Sequence, residues 1–419
     1  MKELFLPTDS LANKIGYYHL MLFMASLPFD RFYSHILLIS FIIHTLIQLN
    51  TKKNKPILTA RNLILQSVFF VTLLSTLYTV NRPEAFNEWG KQITILLFPV
   101  LFCLSPFDIK KYRPQLLLAF SLVCTATIFY LYLNALYTIR YYQLPYSSIF
   151  SKAFTNQNFS EPIAIHATFF SLQVALALVC ILSVLIKERS GYLRLFYVLC
   201  ACILLGGLIQ LSSKSVFIAL LFIINLAVPF FLLQRGKRLK FILITSTASV
   251  LIIAGIFTLS SLRTRYITDL KYDLSPTSTN ETFDSRLDRW NTAAELIKQS
   301  PLIGHGAGSE LGLLHERFFI KKYYNSFLNN LNAHNEYLSF LVKSGVIGLL
   351  IYLSTLAFGF KQALERKDLL FFTFMALVAF VSFSENLLDV DKGILFYAFF
   401  FSFFMFSGER ETYEVSKTS

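Results

Sequence analysis

A histidine stands where a polar segment of the sequence meets a long apolar run. His334 lies in LNAHNEYLSFLVKSGVIGLLIYL, residues 331–353. Its imidazole could be a core side chain with a local hydrogen bond, a metal ligand or a proton acceptor. Asn332 is suited to cap a helix that begins here, which would place His334 in the first turn. The positive end of that helix disfavours imidazolium and suits a general base, whereas Glu336 favours the charged ring and could also orient it. From these residues alone, a hydrogen-bonded histidine at the membrane interface is the more common case.

Two arginines precede this histidine in a stretch with helix signals. Arg286 and Arg289 are three residues apart, so on a helix they share a face beside Trp290. A guanidinium suits phosphate oxygens and keeps its charge. On spacing alone, however, we prefer an ordinary surface helix in which the arginines pair with nearby acids. The available acids are Asp284, Asp288 and Glu295.

A lysine lies among hydroxyl groups at the start of another apolar run. In QLSSKSVFIAL, Lys214 is flanked by Ser212, Ser213 and Ser215. The lysine could extend its ammonium group to the membrane surface without any other role. One lysine with several hydroxyl groups would equally make an anion site, and both interpretations stay open.

Two further motifs have ordinary structural explanations. PLIGHGAGSE, residues 301–310, has glycine at alternate positions but lacks the Gly-Lys-Ser/Thr of a phosphate-binding loop, so we predict a tight turn. Asp389 and Asp391 resemble the paired acids that hold a divalent metal on nucleotide-sugar transferases. Two acids in a short loop are more often solvated, so we expect no metal site.

Composition places these residues in a membrane protein. The chain has 419 residues, of which 55% are hydrophobic and 15% charged, whereas soluble proteins carry about 25% charged residues. The apolar residues form blocks of about 17 to 25 residues, the length of a membrane-spanning helix. We predict an all-α, polytopic fold. The five cysteines lie in or beside apolar blocks without a Cys-x-x-Cys pair, so neither disulfides nor zinc is indicated.

About twelve apolar segments have spanning length, with a large polar segment between the ninth and the tenth. We predict nine spans in residues 1–259, a loop over 260–334, three spans in 335–408 and a tail over 409–419. The spans fall near 15–29, 33–49, 62–79, 92–106, 115–138, 162–186, 195–211, 215–233, 241–259, 335–357, 369–386 and 392–408.

The positive charges alternate between successive connections. The segments TKKNK, DIKKYR, KERSGYLR, QRGKRLK and KQALERKD follow every second span. The net charge of +13 therefore indicates membrane orientation and not nucleic acid. By the positive-inside rule these segments and both termini are cytoplasmic, and the N-terminus has no removable signal peptide.

The large loop then faces outward, and its length and helix signals predict a functional segment. Ser285 and Asp288 form a box-like helix start, and Pro301 ends that helix. Residues 139–161, on the same side, are rich in aromatic and amide side chains, which suit either sugars or an interfacial aromatic belt. The span interiors carry almost no charged residues, which argues against an ion-driven carrier.

The order of the motifs resembles the O-antigen ligase and polymerase superfamily. An Arg-x-x-Arg-Trp-x-x-Ala helix comes first, then Pro-Leu-Ile-Gly-x-Gly, then Ala-His-Asn-x-Tyr-Leu leading into a span with Gly-x-x-Gly, which we expect to permit close helix packing. HATFFSLQVAL at 166–176 and ENLLDVDKGILFYAFF at 385–400 are similar to the branch found in Bacteroidetes-type bacteria.

The resemblance implies a glycosyltransferase of the GT-C type in the bacterial inner membrane, with its site facing the periplasm. Such an enzyme moves a glycan from undecaprenyl diphosphate with inversion and without metal or cofactor. The acceptor is lipid A-core for a ligase, which we favour, another lipid-linked glycan for a polymerase, or a protein. The alternative of another class is a lipid-linked glycan transporter.

The resemblance also implies roles for particular residues. His334 would deprotonate the acceptor hydroxyl, and Arg286 or Arg289 would stabilise charge on the leaving diphosphate. Lys214 stands where the family often has an arginine, and it would keep the charge but not the bidentate geometry. The lesser candidates for the same cavity are His166, Asn335, Glu336 and Glu385.

Overall fold

A computed structural model describes residues 7–49, 56–258, 263–277 and 284–408. The segment TKKNK and the tail over 409–419 lie outside the described residues. Within the described ranges the chain is helical and contains no strand, which confirms the all-α class. The longer helices are α1 Leu11–Ser26, α2 Arg31–Ile47, α3 Ala60–Ser75, α4 Arg82–Leu104, α5 Ile109–Tyr141, α6 Ala167–Lys187, α7 Gly191–Leu211, α8 Lys214–Leu232, α9 Arg235–Thr258, α10 Arg286–Gln299, α11 Ser309–Ile320, α12 Glu336–Glu365, α13 Leu369–Val381 and α14 Asp391–Ser407.

A helix overlaps each of the predicted spans, although not every one has the length that spanning requires. Among the described residues, six helices are long and apolar enough to cross a membrane, namely α5, α6, α7, α8, α9 and α12. Helices α2, α3 and α13 are apolar but shorter. The membrane class is therefore supported, and the number of twelve spans stays a prediction.

Aromatic packing fills the interior of the helix bundle. Every residue of α14 after the first is buried. The Phe400 ring lies 5.0 Å from that of Phe120 on α5, and the Phe399 ring lies 5.3 Å from that of Phe98 on α4. Because lipid is as apolar as these side chains, close van der Waals packing is what selects this arrangement inside a membrane.

The helix predicted in the large loop is present. Ser285 is the N-cap of α10, and with Asp288 it forms a complete capping box. The helix ends at Gln299, just before Pro301, as predicted. The side chains at helical spacing, Leu287, Trp290, Ala294 and Ile297, are only half-buried. The buried set is Asp288, Arg289, Thr292, Ala293 and Leu296.

The start of α12 differs from the prediction. The helix begins at Glu336, and its cap is Asn335, which accepts hydrogen bonds from the N–H groups of Tyr337 and Leu338. Asn332 instead accepts the N–H of His334 at 3.0 Å. His334 therefore lies before the helix, in the left-handed region with a φ of +48°. The predicted cap at Asn332 is wrong because a nearer Asn takes that position.

Helix α12 is interrupted at Gly345, where φ is +62°. The glycine-rich turn supplies hydrogen-bond partners for the backbone groups of α12 that the break leaves without a partner in the helix. The N–H of His305 donates to the carbonyl of Val342 at 2.9 Å, and the N–H of Val346 donates to the carbonyl of Pro301 at 2.9 Å. A Cβ on Gly345 would lie 2.3 Å from the backbone of Leu302. The predicted tight turn is confirmed. Gly345, however, allows α12 to break where the turn crosses it, which is a different role from the expected close packing of helices.

Candidate active site

A cavity of about 340 Å³ lies where α8, α10, the segment 263–274 and the loop over 382–390 meet. Its polar wall comes from the first residues of α8 and α10 and from the loop, and its apolar wall includes Ile218, Phe380 and Phe383. An apolar wall beside a charged one suits a ligand with an apolar part and an anionic head.

Three cations line this cavity: Lys214, Arg265 and Arg286. The Nζ of Lys214 donates to Oδ2 of Asp273 at 3.1 Å. Arg286 directs its Nε toward the same oxygen at 3.8 Å and donates from Nη1 to the carbonyl of Ser384 at 2.8 Å. The sequence analysis missed Arg265 and Asp273, since nothing in the local pattern distinguishes them from ordinary polar loop residues.

Arg289 lies behind Arg286 and is only 5% exposed. Its Nε has no hydrogen-bond partner among the described residues. Burial and the charge of Arg286 lower the pKa of Arg289 to about 10, so its guanidinium remains charged at neutral pH. The predicted surface pairing is wrong, because each acid has another partner. Asp284 accepts from the Ser326 N–H, Asp288 caps α10, and Glu295 pairs with Lys321.

His334 contacts an acid that the sequence analysis ranked only as a lesser candidate. Its Nδ1 lies 3.0 Å from Oε2 of Glu385. A carboxylate can only accept, so Nδ1 is the donor in this contact. Glu336, the expected partner, is instead fully buried and accepts the N–H of Leu388 at 2.8 Å. Glu336 cannot orient the ring because the chain before the helix turns His334 away from it.

Glu385 links the histidine to the cation-lined cavity. Its Oε1 lies 3.8 Å from Nη2 of Arg286. Burial alone would raise the pKa of Glu385, but the hydrogen bond with His334 and the charges of His334 and Arg286 lower it below its usual value. The carboxylate is therefore ionised near neutral pH and can hold the ring in one tautomer.

The other candidates lie at helix starts. His166 is the N-cap of α6, and its Nδ1 accepts the N–H of Thr168 at 3.3 Å. Burial lowers the pKa of His166, which the charge of Glu385 partly opposes. Asn335 is occupied as the cap of α12. The structure thus brings His334, Glu385, Arg286 and Lys214 together and gives Asn335 and Glu336 structural contacts.

The two acids considered for metal binding diverge. Asp389 accepts from Nζ of Lys343 at 2.7 Å, whereas Asp391 pairs with Arg31. No group of three or more His, Cys, Asp or Glu side chains that could hold a metal ion occurs in the described ranges. Each acid therefore faces its own cation.

Part of the chain matches a known family. Residues 199–353, which contain Lys214, Arg286, Arg289 and His334, match the family model described as O-Antigen ligase. A further comparison pairs 139 residues, at 27% identity, with an uncharacterized protein of Haemophilus influenzae. The match covers 31% of this chain and 35% of the relative, so the chain spans about a third of the length of the curated relative it matches.

Proposed function

We propose that this chain, whose residues 199–353 match the O-antigen ligase family model, is a membrane glycosyltransferase that takes a glycan from undecaprenyl diphosphate and joins it to lipid A-core. The family supports ligase- or polymerase-type glycan transfer. Ligation is the favoured member of that pair because the matching family is described as O-Antigen ligase. A polymerase would use the same chemistry on another lipid-linked glycan.

One observation carries the proposal: the imidazole of His334, which Glu385 orients, lies beside a cavity lined by three cations. The proposed reaction forms a bond from the acceptor oxygen to the anomeric carbon. The bond from that carbon to the diphosphate breaks, and the acceptor proton passes to Nε2 of His334. Attack opposite the leaving group inverts the anomeric centre, and no metal or cofactor takes part.

The cations are suited to the leaving diphosphate. Arg286 and Lys214 have their ionic contacts with Asp273 at 3.8 and 3.1 Å, so both can turn to an incoming anion. Cations that already lie beside the leaving diphosphate stabilise the negative charge that develops on it. They lower the activation barrier because they need no reorientation during the reaction. The apolar wall with Ile218 and Phe380 would then take the first isoprene units of the carrier.

Contacts between distant segments support the proposed orientation, in which the cation-rich connections lie on one side of the membrane. Asp9 accepts from Nζ of Lys111 in DIKKYR at 2.8 Å. Arg113 of the same segment donates to Asp368 of KQALERKD at 2.7 Å. The N-terminal segment and these two cation-rich connections therefore share one end of the bundle. By the positive-inside rule this end is cytoplasmic, which leaves the His334 cavity facing the periplasm.

The first test compares lipopolysaccharide and lipid-linked glycan from a deletion strain complemented with wild type or His334→Ala. Full-length glycan left on the carrier beside bare core, without rescue by His334→Ala, is expected for a ligase. Single repeat units attached to core would mean a polymerase. Rescue by His334→Ala would favour a transporter, which has no need of a general base, and an unchanged deletion profile would overturn both transferase assignments.

A further inference from the structure

The loop over 382–390 is held by the beginning of α12. The N–H of Glu336 donates to the carbonyl of Ser382 at 2.8 Å, and the N–H of Leu388 donates to Oε2 of Glu336 at 2.8 Å. Both ends of the loop are therefore tied to a single residue, two positions after His334. Between these ties lies Glu385, whose carboxylate reaches the imidazole.

Asn386 fills the space between these ties and is only 2% exposed. Its Oδ1 accepts the N–H of Asn335 at 2.8 Å. Its Nδ2 donates to Oδ2 of Asp389 at 2.8 Å and to Oε2 of Glu310 at 3.1 Å. A primary amide offers an acceptor and two donors in one plane, so it can satisfy an N–H and two carboxylates at once.

Both carboxylates that receive the amide are themselves anchored. Asp389 accepts from Nζ of Lys343 at 2.7 Å. Glu310 accepts the N–H of Ala333 at 3.1 Å and the hydroxyl of Ser339. The three consecutive residues 333–335 are thus held in turn by Glu310, Glu385 and Asn386. A non-glycine residue keeps a left-handed backbone, as His334 does, only where its surroundings over-determine it.

We propose that Asn386 is a positioning residue for the general base: by joining the backbone at Asn335 to the two anchored carboxylates, it fixes Glu385 against the His334 ring. This inference rests on the proposed function. Asn386 acts through Glu385 and the backbone and does not contact the reacting atoms.

The decisive variant is Asn386→Asp, which keeps the size and the accepting oxygen but replaces the donor. Ionised, the new carboxyl faces two others and pushes the loop away; protonated, it can donate to one of them. Burial and the charge of Asp389 raise the pKa of Glu310, and the same causes act on the new carboxyl. The charged groups around this position are Glu88, Glu310, Glu336, Lys343 and Asp389.

The measurement uses the full chain in lipid nanodiscs. The donor is the lipid-linked glycan that accumulates in the deletion strain, and the acceptor is that strain's bare lipopolysaccharide. A misplacement of about 1 Å can cost roughly 10²-fold in rate. We therefore expect kcat of Asn386→Asp to be lower by about that factor near pH 8, with a much smaller change in KM for the donor.

The ratio of Asn386→Asp to wild type should recover several-fold as the pH falls to about 6. Taking the ratio at each pH removes any pH dependence of turnover that the variant and wild type share. Asn386→Leu, which can neither donate nor accept, should stay impaired throughout. Asn329→Asp, an exposed amide changed in the same way, should match wild type at every pH.

Two results would overturn the inference while His334→Ala stays inactive. One is a wild-type kcat in both Asn386 variants. The other is an equal, pH-independent loss in both, with a lowered thermal midpoint, which would make Asn386 a structural residue only. Wild-type turnover by His334→Ala would instead overturn the proposed function.

Discussion

The Nδ1 of His334 lies 3.0 Å from Oε2 of Glu385, a residue 51 positions further along the chain. In this pairing Nδ1 is the donor, and the pairing joins the histidine to the cavity because Glu385 also lies 3.8 Å from Arg286. An acid–histidine pair of this kind sets the tautomer of the base and stabilises the imidazolium that forms during reaction.

Removing the imidazole should abolish the proton transfer. We expect His334→Ala to lose roughly 10² to 10⁴ in turnover, the usual contribution of a general base. His315→Ala is the matched control, because the His315 ring bonds a backbone carbonyl of its own loop at 3.0 Å, away from the cavity. In vitro glycan transfer measures both. Equal activity of the two variants would contradict the assignment.

The carboxylate of Glu385 should make stability depend on pH. Its pKa is lowered in the folded protein by His334 and Arg286, although burial opposes this. A depressed folded pKa means that the carboxylate stabilises the fold above its unfolded pKa of about 4.3 and loses this effect as pH falls through the folded pKa. The thermal midpoint of wild type should therefore exceed that of Glu385→Gln at neutral pH. Below about pH 4 the two should converge, and a difference that widens there would refute the pairing.

Lys214 should contribute to donor binding and not to proton transfer. We expect Lys214→Met to raise KM for the donor about 10- to 100-fold, the effect of one charge-assisted hydrogen bond. Lys214→Arg, which keeps the charge, should restore most of this. Lys361→Met, at an exposed ion pair with Glu365, is the control. If kcat falls with KM unchanged, Lys214 has a different role.

The break in α12 makes Gly345 intolerant of a side chain. Gly345→Ala would place a Cβ 2.3 Å from the backbone of Leu302 in a left-handed conformation, at a cost in unfolding free energy of at least about 1–3 kcal/mol. Gly90→Ala is the contrast, since nothing lies within 4 Å of a Cβ there. A helical Ala should gain about 0.5–1 kcal/mol. Thermal midpoints in detergent decide this, and a neutral Gly345→Ala would show that the turn is not fixed.

Local sequence patterns correctly predicted the structural features that depend only on neighbouring residues. The capping box of Ser285 and Asp288, the end of α10 before Pro301 and the glycine-rich turn each involve groups within a few positions of one another. Hydropathy likewise indicated helices in every apolar segment, because the length and periodicity of such a run are properties of the run itself.

Which residues form the candidate site depends on contacts between segments that are distant in the sequence, and no local pattern reveals such contacts. Glu336 is only two positions from His334 in sequence, yet the left-handed backbone at His334 turns the ring toward Glu385. Asp273 and Arg265 reach the cavity only because the segment 263–274 lies beside the start of α8. The break at Gly345 needs donors from the turn at 305–306.

By itself, the sequence determined the membrane class and the helices, showed a resemblance to the O-antigen ligase family, and made His334, Arg286 and Lys214 candidates for the site. The tertiary structure alone decided which acid orients the histidine, which cations share the cavity and where α12 begins and breaks. The physical reason is the range of the interactions. Helix propensity, capping and hydropathy act between near neighbours in the chain, whereas an ion pair or a backbone crossing depends on the path of the whole bundle.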